Sequence, residues 1–270
     1  YLNNLAGKVY QEIYKNRRER SSRLVTFWTT ELPELMWQRR RELLYAFMLF
    51  SFFCVVGAFS AAVDPGFVRV ILGDSYVNMT LENIKNGDPL AVYKQQGAGS
   101  MFAMITANNI FVALMTFIKG VVVSLGTVEA LMHNGIMLGS FQYFFYERGF
   151  LVESLLTIWI HGTLEISAIV IAGAAGLTMG NSILFPGTYT RLHSFMRGAK
   201  QGLKMVIGLI PVFIIAGFLE SFVTRHNDMH PAFSVAIILG SALFVVWYFL
   251  LYPSRLHQQQ QQLHDTTGAA

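Results

Sequence analysis

The stretch IWIHGTLEISAIVIAGAAG, Ile158 to Gly176, decides the fold. It is apolar enough for a membrane-spanning helix, yet His161 and Glu165 stand one helical turn apart inside it. An ionisable group in the bilayer interior is expensive, so each one needs a partner or a task.

The rest of the chain has the same character. Its 270 residues are 53% hydrophobic and only 13% charged, with a mean hydropathy of +0.44. Soluble domains carry about 25% charged residues, so a soluble globule is excluded. The expected fold class is all-α, a polytopic membrane helical bundle, and no nucleic-acid partner is expected. The single cysteine, Cys54, lies in an apolar run and permits no internal disulfide.

A bilayer core of roughly 30 Å takes about 20 apolar residues to cross. By that measure six spans are expected: Leu43–Val63, Met101–Ile118, Val121–Phe145, Phe150–Met179, Leu203–Val223 and Ala232–Tyr252. The long apolar run from Ser100 to Phe145 is divided at Lys119-Gly120. With both termini cytoplasmic, Arg69, Lys85, Lys94, Arg148 and Arg225 lie outside, and the other fifteen of the twenty basic residues lie inside. That asymmetry is the one membrane insertion favours. The organisation expected is a basic cytoplasmic arm at 1–42, a transmembrane domain at 43–252 with an outer loop at 64–99, and a polar mobile tail at 253–270.

Within the arm, ELPELMWQRRREL alternates apolar and charged residues. It reads either as an interfacial helix, with Trp37 at headgroup level and Arg39, Arg40 and Arg41 on anionic lipid, or as plain stop-transfer charge. Pro211 inside the fifth span is expected to kink or break that helix.

The polar groups inside the spans are Asn108 and Asn109 on the second, Glu129, His133 and Asn134 on the third, His161 and Glu165 on the fourth, and Glu220 on the fifth. Residues four apart share a helical face. The face of His161 and Glu165 continues through Ala168, Ala172, Gly176 and Gly180, with Gly173 beside it, and such small residues let helices approach closely in lipid. On the third span Gly126, Glu129, His133 and Ser140 share a stripe. Because the order of His and Glu is reversed between the third and fourth spans, antiparallel packing is expected to set His133 level with His161 and Glu129 level with Glu165.

Three readings of this centre stay open. It is a structural polar network, in which each carboxylate is satisfied by an imidazole or an amide. Alternatively, His161, Glu165, His133 and Glu129 hold a divalent metal such as zinc, or share a proton. A catalytic site is the third, but Gly162 stands where a metalloprotease helix has its glutamate, and no serine or cysteine nucleophile pattern lies nearby. An enzyme is not the expectation, and no cofactor beyond a metal is implied.

The residues that carry a family resemblance are HGTLEISAIVIAGAAGLTMG (His161–Gly180), NNIFVALMTFIKG (Asn108–Gly120), HNGIMLG (His133–Gly139), FPG (Phe185–Gly187) and IPVFIIAGFLESFVT (Ile210–Thr224). Together with YLNNLAGKVYQEIY at the start, they resemble the stage II sporulation protein M family. Ile160 departs from the pattern, which often has proline before the histidine-glycine pair. The polar positions that match the family pattern are Asn108, Asn134, His161, Glu165 and Glu220. The resemblance implies a multi-pass protein of the bacterial cytoplasmic membrane that acts as a scaffold or assembly partner in cell-envelope, peptidoglycan remodelling. Its implied partners are the lipid bilayer, envelope or peptidoglycan-processing proteins and a cytoplasmic ATPase, and a further cytoplasmic segment before Tyr1 is expected. The alternative is a transporter or channel-like protein with an intramembrane His/Glu ion or proton site. A homodimer is expected only on the general frequency of two-fold assemblies.

Overall fold

A computed structural model describes residues 22–88, 91, 97–224 and 229–268, the side chains of 22 and 263–268 aside. The described residues are helical and contain no strand. In chain order the helices are α1 (Ser22–Thr26), α2 (Leu32–Gln38), α3 (Arg40–Val63), α4 (Phe67–Leu72), α5 (Asp74–Lys85), α6 (Ala98–Ile118), α7 (Leu125–Glu147), α8 (Leu151–Leu184), α9 (Arg191–Phe218), α10 (Pro231–Val246) and α11 (Tyr252–Gly268). Among the described residues, five helices are long and apolar enough to cross a membrane: Arg40–Val63, Ala98–Val121, Leu151–Leu184, Arg191–Val223 and Pro231–Gln262. The third expected span is α7, a 23-residue helix that Glu129, His133, Asn134 and Gln142 keep out of that group.

Local chemistry sets the helix ends. Pro65 disfavours helix at the residue before it, and α3 stops at an extended Asp64, whose Oδ1 accepts from the Gly66 amide at 2.8 Å. α7 closes on Gly149 at φ +81°, with the Phe150 amide returning to the Phe145 carbonyl at 2.9 Å, the left-handed cap that glycine permits. Between α6 and α7 the chain turns through a short 3-10 segment, Lys119–Val121, and then Val123 and Ser124, both at positive φ.

α8 is the axis of the bundle. It packs against α3, α6, α7, α9 and α10, and every residue from Val170 to Gly180 is buried. Small residues make this possible. A Cβ built on Gly120 would lie 2.3 Å from the Gly176 carbonyl oxygen, and one on Gly180 would lie 2.1 Å from Ser124 Oγ. Gly173 receives the Leu131 side chain, and Ala168 and Ala172 are buried beside it. Gly126 instead faces the Lys119 carbonyl, inside the α6–α7 turn. Without a hydrophobic drive in lipid, such backbone contacts supply the van der Waals attraction between helices. A second weld joins α7 to α3, where a Cβ on Gly139 would lie 1.9 Å from the Cys54 carbonyl oxygen and one on Gly57 2.3 Å from that of Ile136. At the end of the bundle that carries the 64–99 segment, Val68 of α4 and Val77 of α5 join Ala61, Phe144, Phe145 and Ile158 in a smaller core. The outward faces of α3 and α10 leave Phe52, Val55, Phe59, Leu239 and Leu243 exposed, as a lipid-facing surface requires.

Residues 1–21 of the basic arm lie outside the described residues. Of the two readings of the arm, the interfacial helix does not match the described part. Leu32, Pro33, Leu35 and Met36 are buried in the bundle, and Leu32 sits where a side chain on Gly208 of α9 would be. The preceding π-helical turn, Phe27–Glu31, is pinned by Tyr248 Oη donating to the Trp28 carbonyl at 2.6 Å and Tyr252 Oη to that of Thr29 at 2.8 Å. Glu31 pairs with Lys204 at 2.7 Å, and that partner holds its carboxyl below the usual value. Trp37 lies between the His257 ring, at 5.2 Å, and the Arg40 guanidinium, at 4.4 Å. Arg39 bonds Gln201 and Glu42, while Arg40 and Arg41 are exposed. The glycine groove and the two tyrosines give this apolar face a protein partner in place of lipid.

The segment expected as a tail at 253–270 is helical as far as Gly268, in keeping with the good helix propensity of glutamine. α9 runs unbroken through Pro211, which is exposed on the surface of the bundle. Replacing Gly176 by alanine should lower stability by about 1–3 kcal/mol, the range for overpacking. Gly240→Ala, where nothing lies within 4 Å, should cause no loss, and unfolding of the two variants in detergent compares them.

Candidate functional site

The ionisable groups inside the bundle converge on α8. His161 and Glu165 lie roughly 15 and 21 Å along it from Leu151, at 1.5 Å rise per residue. His161 is buried and Glu165 half-buried. α6 runs parallel to α8 and brings Asn109 to Glu165, its Nδ2 donating to Oε1 at 2.5 Å. α9 runs antiparallel and ends in a π-helical segment, Leu219–Val223, closed by the Thr224 amide bonding the Leu219 carbonyl at 2.8 Å. A π turn is uncommon and often marks a functional site.

That segment supplies the other half of the site. Glu220 Oε1 lies 3.8 Å from His161 Nε2, with side-chain exposures of 13% and 5%. On the far side of the ring, His161 Nδ1 is 3.1 Å from Thr224 Oγ1. One donor atom each from His161, Glu165 and Glu220 lies within 4.8 Å of the others. Two buried hydroxyls lie on the same two elements, α6 and the π turn. Thr106, one turn from Asn109, and Ser221, next to Glu220, are buried with no hydrogen-bond partner among the described residues.

The structure thus unites Asn109, His161, Glu165 and Glu220, and it corrects the expected pairing with α7. Glu129 and His133 are exposed, and Glu129 binds Lys119 across the α6–α7 turn at 2.6 Å. The helices are antiparallel as expected, but their register differs. Thr127 meets Gly176 and Leu131 meets Gly173, so Glu129 is level with Ala174 and Ala175. That is about ten residues, or roughly 15 Å, from Glu165. Neither Glu129 nor His133 belongs to a ligand set with His161 and Glu165. Asn108 is exposed, and Asn134 donates to the Ala130 carbonyl of its own helix at 2.8 Å. Thr224 was not legible as a site residue, because hydroxyls are common in membrane helices and the π turn leaves no sequence mark. The Gly57–Gly135–Gly139 weld did carry a signal, the three-residue interval between Gly135 and Gly139.

Chemically the arrangement is two carboxylates and one imidazole, held by an amide and a hydroxyl, away from bulk water. It can lock three helices together, share protons, or bind a cation. The family model described as Stage II sporulation protein M matches residues 46–225. The match opens inside α3 and closes just after Thr224, so it contains every residue of the cluster. No curated protein and no solved structure matches the chain. Asn109→Ala should cost about 1–3 kcal/mol, the usual penalty for stranding a buried polar partner. Thermal unfolding in detergent measures it, and an unchanged midpoint would show that the amide contributes nothing to the fold.

Proposed function

The chain belongs to the stage II sporulation protein M family, and on that premise we propose that it acts as a multi-pass membrane scaffold, an assembly partner in cell-envelope remodelling. Its location would be the bacterial cytoplasmic membrane, with both termini inside. The observation that carries this reading is the construction around α8: a central helix enclosed by five neighbours, joined through backbone contacts and cross-linked by Asn109, Glu165, His161, Glu220 and Thr224. Such a core resists deformation and keeps a fixed outer surface. Helices α4 and α5, which dock on one end of the bundle, offer peptidoglycan-processing proteins a surface of defined shape. The described arm and α11, packed on each other at the opposite end, offer one to a cytoplasmic ATPase.

One observation favours a second reading. A buried histidine and two carboxylates gathered at a π turn are what an ion- or proton-coupled transporter requires. The two readings separate experimentally. A scaffold co-purifies stoichiometrically with an envelope protein after cross-linking in cells, and its Glu165→Gln variant is less stable while liposomes containing either form show the same flux. Proton- or cation-dependent flux in liposomes that Glu165→Gln abolishes would replace the scaffold by a transporter.

A further inference from the structure

We propose that His161, Glu165 and Glu220 form a binding site for a divalent transition-metal ion, zinc foremost. One imidazole and two carboxylates are a ligand set that zinc accepts, with a fourth position left for water or another oxygen. The three donors come from α8 and the π turn of α9 and lie within 4.8 Å of one another. Ligands at zinc's bond lengths stand about 3.3 Å apart in a tetrahedron, so rotation of the two glutamate side chains closes most of the difference.

Two further features point the same way. First, the groups that bind metal are themselves held. A metal-ligating histidine nearly always donates its other ring N–H to an oxygen, which fixes the tautomer. Thr224 Oγ1, 3.1 Å from His161 Nδ1, is placed to accept it, and Nε2 faces Glu220 at 3.8 Å. Asn109 orients Glu165 in the same manner at 2.5 Å. Secondly, two carboxylates this close in an apolar bundle repel each other strongly when both are ionised. A divalent cation balances both charges, whereas a single shared proton leaves one uncompensated. The ion joins α8 to α9 whether the protein scaffolds or transports, so this site stands or falls apart from the proposed function.

The test uses the full, untagged chain in detergent, stripped with EDTA, reloaded with excess zinc and desalted before elemental analysis. The wild-type chain should retain about one zinc, since folded-state ligation binds tightly. His161→Ala and the Glu165→Gln/Glu220→Gln double variant should lose affinity by more than the roughly 10–100-fold typical of outer-shell changes. Glu129→Gln and His193→Ala, which alter exposed residues outside the cluster, should load like wild type. EDTA should also lower the unfolding midpoint of the wild-type chain and zinc should restore it, a readout that requires no variant. Reloaded wild-type protein without zinc overturns the site, as does full loading in the cluster variants.

Discussion

Where Gly120 meets Gly176 no side chain stands between the two helices, and the rest of the bundle depends on that contact. It draws α6 against α8 closely enough for a short amide, Asn109, to reach Glu165. The same approach recurs on the next face, where Gly202 and Gly198 of α9 rest against Ala175 and Ser182 of α8. With backbones this near, His161 can touch Glu220 and Thr224. Larger residues at any of these glycines would separate the helices and leave carboxylates facing hydrocarbon. The polar cluster and the small-residue contacts are therefore one device, in which close packing is the condition for satisfying buried charge.

Much of this was legible in the residues. Hydropathy gave the long helices, and the spacing of Ala168, Ala172, Gly176 and Gly180 marked the packed face of α8. The Lys119-Gly120 pair marked the break between α6 and α7. What failed was register. Reversal of the His and Glu order pointed to a symmetric pairing with α7, but a repeat of small residues fits several axial offsets equally well. The offset is set by the turn at Val123 and Ser124, whose positive φ values bring α7 directly against the far end of α8. Nothing in the residue types announces that geometry.

The site itself was half legible. Each polar member was visible as an anomaly in an apolar run, so Glu165, His161, Glu220 and Asn109 could all be picked out. Their partnership could not, because Glu220 reaches α8 through a π turn rather than at Pro211, where a break was expected. The arm shows a related blindness. An alternation of apolar and charged residues fits a membrane surface and a protein groove alike, and Gly208, far away in sequence, chooses between them.

The position of Glu220 has a consequence for how the protein is made. Helices enter a membrane in the order of synthesis, so α8 emerges with His161 and Glu165 while its partner carboxylate and Thr224 are still more than fifty residues away in the chain. Asn109 is the first group available to Glu165. The final arrangement then waits for α9, and the newly inserted chain passes through a stage in which the helix carrying His161 and Glu165 is incompletely housed. That stage is where a membrane insertase or chaperone would gain most by holding α8, and where degradation would compete with assembly.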